Sequence, residues 1–247
     1  QPPAVRLYAD EIKPYRNGLD ERWMYIGLLA VPEADFDRIQ SWLRQDRNAA
    51  DYFNEVHFTK LRNASDAGAY NEKTLLAKRW VERVLWDQQK VFHFHLLGLN
   101  LTNLQYFAFG TGWEQKRNIY NRFFRTSLTY ALKRFFGGGE VTVTGLFHDA
   151  SEFEDDDLFD WHAIWRVDRA EPSITFVPDS ISFIDSDHAK EKDFPEDSHL
   201  IQLCDVLLGG LTQCLDARNR KDGCCEIAKV LLPLADRLVD PRRARNP

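Results

Sequence analysis

The chain has 247 residues, of which 44% are hydrophobic, 28% charged and 13% aromatic, an ordinary balance for a globular protein with ample material for a core. Its net charge of −6 argues against a protein that coats nucleic acid non-specifically, which needs a concentrated basic surface, but leaves room for a local basic groove. No run approaches the roughly 18 apolar residues of a membrane span, and no signal-peptide pattern opens the chain.

In chain order, Val5, Leu7 and Ala9 alternate with Arg6, Tyr8 and Asp10, the period of a strand, followed by Glu11 and a Pro- and Gly-containing turn. Arg22–Val31 is a dense apolar run and reads as a buried strand, with Pro32 in the first turn of a helix over 32–46. A short segment, NEVHFTKLR, leads through a polar stretch to a helix over 72–88. Val91–Asn103 reads as a strand continuing toward LQYFAFG, and a helix over 116–136 stops at Gly137-Gly138-Gly139. EVTVTGLFHD alternates as a strand ending in Asp149, and SEFEDDDLFDWH reads as a loop or helix start. One or two short strands are expected in SITFVPDSISFIDSD, then an apolar helix over 197–217. A last helix over 224–239 is kinked or broken by Pro233, before a basic terminus. The expectation is one α/β domain over 1–247 with a C-terminal helical extension.

All four cysteines (Cys204, Cys214, Cys224, Cys225) fall in the last quarter without a CxxC pair, which favours a reducing cytoplasm over a disulfide framework or structural zinc. No Gly-rich phosphate loop is present, since FFGGGE lacks the following Lys-Ser/Thr, and there is no GxSxG elbow.

The chemistry-bearing pattern is acidic. Asp10, Asp149 and Asp185 each end an apolar strand, Glu55 lies in NEVHF, and Asp205 interrupts the apolar run LIQLCDVLLGG. Each has a structural alternative: Asp10 and Glu11 as solvated strand-end charges, Asp149 as a helix cap, Asp185 as a turn former. Asp205 is the hardest to explain so, because an unpaired carboxylate in apolar surroundings costs several kcal/mol. Carboxylates gathered at strand ends and one helix face repel unless a hard cation such as Mg²⁺ or Mn²⁺ neutralises them. His57, two residues after Glu55, shares its face in an extended segment and is either a ligand, an acid/base partner or a hydrogen-bonded structural histidine. His93 and His95 read as sheet packing, and His148 as pointing away from Asp149. On the helix from Lys116, the residues Asn118, Arg122, Arg125, Thr129 and Lys133 form one polar, basic stripe, suited to phosphates or simply to solvent.

The segments RLYADE, YIGLLAV with Pro32, NEVHFTKL, FIDSD and LIQLCDVLLGG occur in an order that resembles the bacterial family known as domain of unknown function 3800, across nearly the whole chain. The resemblance implies a ribonuclease H-like fold, a mixed central sheet flanked by helices. It marks Asp10, Glu11, Glu55, His57 and Asp205 as site residues. It adds Asp149 by position, because such sheets usually carry an acid on a central strand, with Asp185 as the alternative. Ile12 stands where the family usually has Ser and Cys204 where it has Ala; neither departure removes a carboxylate.

The expected function is a divalent-metal-dependent nuclease, in a setting such as bacterial defence. Asp10, Glu55, Asp149 and Asp205 hold Mg²⁺ or Mn²⁺, Glu11 or His57 orients water or moves a proton, and Arg122, Arg125 and Lys133 grip phosphates. The alternative is a non-catalytic nucleic-acid- or protein-binding subunit with a degenerate site, for which aromatic residues around Trp161 and Trp165 would suit an interface. A hydrolase of small phosphorylated substrates is a third reading.

Overall fold

The computed structural model describes residues 2–61, 71–150, 171–178 and 180–238. The segment SEFEDDDLFDWH, Trp161, Trp165, most of the polar stretch before Asn71 and the basic terminus lie outside the described residues. Strands β1 (Ala4–Arg16), β2 (Arg22–Pro32), β3 (His93–Asn100), β4 (Val141–Asp149), β5 (Ile174–Phe176) and β6 (Ser182–Ile184) form one mixed sheet. Its order is β3-β2-β1-β4-β5, with β6 also on β4 beyond β5. β1 and β3 each pair antiparallel with β2, and β4 joins β1 in parallel. Helices α1 (Phe36–Ala50), α2 (Glu72–Leu85), α3 (Gly112–Phe135), α4 (Pro195–Asp216) and α5 (Asp222–Ala235) complete the described structure. This is an α/β architecture of the ribonuclease H-like kind.

Strand alternation sends β1 side chains to two cores. Val5, Leu7 and Ala9 join Phe124, Leu128 and Leu132 of α3 on one face. Tyr8 joins Leu203, Cys204 and Leu207 of α4 on the other, backed by α1, α2 and α5. Because α4 is covered by the sheet and by α5, most of it is buried, which explains the apolar run from Leu200 to Leu211 that Asp205 and Gln202 interrupt. Pro233 sits inside α5, which ends two residues later at Ala235.

Three elements differ from expectation. β1 does not turn after Glu11; it pairs with β2 as far as Arg16, with an irregularity between Ile12 and Tyr15 where exposed Pro14 needs no ladder partner. Pro32 ends β2 and precedes a 3₁₀ turn (Glu33–Asp35), so α1 begins only at Phe36. After β3 the chain forms 3₁₀ turns at 101–103 and 106–109 instead of continuing as a strand, and α3 starts four residues earlier than the polar pattern suggested.

Tyr8 anchors α4 to the sheet: its hydroxyl donates to Asp197 Oδ1 at 2.6 Å, and Arg6 adds Nη1 to Asp197 at 3.1 Å while forking onto Glu33. Burial pushes the Asp197 carboxyl up, partly countered by the Tyr8 and Arg6 donors. Tyr8→Phe removes a buried donor to a charged acceptor and is expected to cost about 2 kcal/mol in urea unfolding.

Candidate metal centre

β4 stops at Asp149 while β1 runs on, and the last parallel pair joins Ala9 to His148. The next residues, Asp10 and Asp149, are therefore lateral neighbours on the α4 side of the sheet. Asp205 on α4 faces the same opening. All three line one cleft of about 600 Å³, together with His57 and, further along, Lys13 and Arg218. Asp10 is only 9% exposed. Burial, then the charges of Asp205, Glu11 and Asp149, push its carboxyl well above the usual range. Burial and Asp205 raise Asp149 to about 6. Acids at the ends of buried strands are thus brought together from β1, β4 and α4.

The NEVHF segment crosses the mouth of this cleft. Phe58 N–H donates to Asp205 Oδ2 at 2.6 Å, and His57 Nδ1 lies 3.0 Å from the same oxygen without the alignment of a hydrogen bond. The Asp205 carboxylate raises His57 against the opposing effect of burial. Glu55 does not line the cleft. It pairs with Lys60 Nζ at 2.7 Å and accepts from the Ser186 hydroxyl at 3.0 Å. Ser186 also neighbours Asp149 and holds its carboxyl down somewhat, so Glu55 reaches the acids through one hydroxyl. Burial of Glu55 is outweighed by Lys60 and Ser186, which leave its carboxyl below the ordinary value.

Two residues organise this segment. Phe58 lies flat against α4 because residue 209 is glycine: a Cβ there would stand 2.3 Å from the Phe58 ring. Gln202, fully buried, accepts from Val56 N–H at 2.9 Å and donates to the Ser186 carbonyl, tying both mouth segments to α4. Arg47 donates to the Asn54 carbonyl at 2.9 Å and to Gln202 Oε1 at 2.8 Å from the other side.

Glu11 borders the same cleft but turns its carboxylate to the opposite face of the sheet. Its carboxylate meets His148 Nε2 at 3.1 Å, with Tyr120 of α3 at 3.0 Å from the same nitrogen. Burial lowers His148, but the Glu11 charge more than offsets it and the ring is raised. His148 does point away from the Asp149 side chain as its strand position implies, yet its Nδ1 contacts the Asp149 carbonyl, so it backs the site. Asp185 shapes a turn, accepting from Asp187 N–H at 2.8 Å; Asp149 is the acid at the cleft. His93 and His95 pack on Phe135, Phe136 and Tyr130. His148→Ala removes the close partner of the Glu11 carboxylate, leaving it the longer contact from Tyr120 at 3.5 Å, and is expected to cost about 3 kcal/mol. The double variant with Glu11→Leu should recover much of that loss, as chemical denaturation of both proteins will show.

The α3 stripe is not part of the cleft. α3 covers the face opposite α4; Lys133 is paired with Glu171 at 2.9 Å, and Arg122 lies 5.9 Å from the Phe109 ring centre. Arg125 is half-buried on the same helix and also does not line the cleft. Amphipathicity located a solvent face without saying on which side of the sheet it would lie.

The donor set suits a hard cation: three carboxylates, no thiolate. Burial and the neighbouring acids push the Cys204 thiol well above its ordinary value, so it stays protonated. Among the described residues no three donors already stand at coordination distance around one point. What fits an ion is the charge arrangement, in which buried carboxylates raise one another while no lysine or arginine forms an ion pair with Asp10 or Asp149 among the described residues. No model of a known family matches the chain, and no curated protein matches it either. No helix among the described residues is long and apolar enough to cross a membrane.

Proposed function

We propose that the protein is a divalent-cation-dependent nuclease, with Asp10, Asp149 and Asp205 as the residues that hold Mg²⁺ or Mn²⁺ and Glu55 as an outer support acting through Ser186. The observation that carries this reading is the shared cleft of these three acids and their mutual repulsion. A bound cation would supply Lewis-acid polarisation of a phosphate and an acidified water. The chain's own contribution is orientation and proton transfer. His57, raised above its ordinary value by Asp205, stands at the cleft wall as the candidate to give a proton to a departing oxygen. Glu11 gives its backbone N–H to Asp10 and its carboxylate to His148, while its charge adds to the repulsion at Asp10. Membership in the family whose motifs the chain resembles, and a setting such as defence against foreign nucleic acid, belong to the same reading.

The test is Mn²⁺-dependent thermal stabilisation of wild type, Asp10→Asn and Asp205→Asn, followed by cleavage assays on single-stranded, duplex and hybrid nucleic acids. A stabilisation present in wild type and lost in both variants, with cation-dependent cleavage, is the expected result. Wild type that neither binds Mn²⁺ nor cleaves would leave a nucleic-acid- or protein-binding subunit.

A further inference from the structure

The cleft is electrically two-ended. From the acids it follows α4 past Gly209 and Thr212 to the α4–α5 connection, where Arg218 and Asn219 join the lining, as does Lys13 of the β1 extension. At 1.5 Å per residue, the helix from Asp205 to its end at Asp216 spans about 16 Å. Arg218 has a fixed pose: its guanidinium carbon sits 3.4 Å above the Tyr15 ring, and Tyr15 in turn stacks on Tyr25. The tyrosines are held by Asp216, which accepts from Tyr25 at 2.7 Å. No carboxylate forms an ion pair with Arg218 among the described residues, and the side chain is exposed. A guanidinium held flat by an aromatic face directs its edge donors outward in a plane, the geometry that grips a phosphate in two places.

Resting on the nuclease reading of the acidic end, we infer that Arg218, with Lys13 of the same lining as its auxiliary, is the phosphate clamp for a single polynucleotide strand lying along α4, and that the α3 stripe is not. The Tyr15–Arg218 stack selects the strand state: it offers a flat platform to a base, as single-strand binders do, and only an unpaired base is free to lie on it.

The experiment is fluorescence-anisotropy binding of a labelled 12-nucleotide single strand and its duplex to the whole chain, without divalent cation. Three proteins are compared: wild type, Arg218→Ala with Lys13→Ala, and the α3 triple Arg122→Ala, Arg125→Ala, Lys133→Ala. We expect single-strand preference in wild type, a loss of tenfold or more in the clamp variant with a shallower salt dependence, and less than twofold change in the α3 variant. Circular dichroism confirms that each variant is folded. Equal binding by wild type and the clamp variant, preference for the duplex, or the loss falling on the α3 variant would overturn the inference. Cation-dependent hydrolysis of bis(p-nitrophenyl) phosphate by wild type separately reports the acidic end. Strand binding through Arg218 without that hydrolysis keeps the clamp and removes the nuclease reading; hydrolysis without clamp-dependent binding does the reverse.

Discussion

Asp149→Asn should make the metal-free protein more stable while abolishing its response to Mn²⁺. Burial and Asp205 raise this carboxyl from 3.8 to about 6. A group whose pKa is higher folded than unfolded contributes stability that is complete below about pH 4 and is lost as pH rises through about 6. Asp10, raised well above its ordinary value by burial and the same neighbours, acts in the same direction, as do the raised His57 and His148. Without cation, the melting temperature should therefore fall between pH 5 and pH 8. The shift at Asp149 corresponds to about 3 kcal/mol, or about 2 kcal/mol once solvent at the cleft mouth is allowed for. Neutralising it should raise the metal-free melting temperature at pH 7.5 by roughly 4–8 °C and flatten the pH profile. In wild type, Mn²⁺ should stabilise more at pH 8 than at pH 5, because protonated carboxylates do not hold the ion. Calorimetry across this range, with and without Mn²⁺, decides the matter: a variant less stable than wild type at pH 7.5 would mean the acids are not in conflict.

The second large effect is expected from a single methyl group. Gly209→Ala places a Cβ 2.3 Å from Phe58 Cγ and Cδ1 and 2.8 Å from its Cβ, close to the Phe58 backbone, so the segment itself must move. Overpacking of this kind costs about 1–3 kcal/mol, offset by the roughly 1 kcal/mol that alanine gains over glycine in a helix. The net loss of stability is modest. The functional loss is not: moving Phe58 withdraws its N–H from Asp205 and carries His57 with it, and a displacement of about 1 Å costs on the order of 100-fold in rate. Gly210→Ala is the comparison. Its Cβ meets Leu231 Cδ1 at 2.5 Å and Ile227 Cγ2 at 2.8 Å, the outer atoms of α5 side chains that can turn aside. That variant should be destabilised yet retain cation-dependent cleavage. If the two variants lose activity equally, the seat of Phe58 is not what aligns the segment.

Much of this arrangement was legible in the residues. Asp10, Asp149 and Asp205 stood out because each broke an apolar pattern, and the structure joins all three at one cleft. Glu55 was legible as a polar residue in the right segment, but its one-step remove through Ser186 depends on where β6 lies against β4. The Glu11–His148 pair was hidden for a similar reason. Alternation turned His148 away from Asp149, but Glu11 was expected beside Asp10 at the site, and only the parallel register of β1 with β4 shows that the two meet. The length of β1 was misjudged because Pro14 reads locally as a turn, whereas an irregularity in the ladder absorbs it. The basic stripe on α3 was a correct reading of one helix and carried no information on which face of the sheet that helix covers.

Gln202 has a consequence for how the molecule matures. One amide holds Val56, 146 residues away in sequence, and Ser186, 16 residues away, so neither rim of the cleft has its place until α4 has docked. Links of such long range close late, after local helices and hairpins have formed. A nascent or partly folded chain thus presents scattered acids, and under the proposed function ion capture would be a property of the finished domain alone.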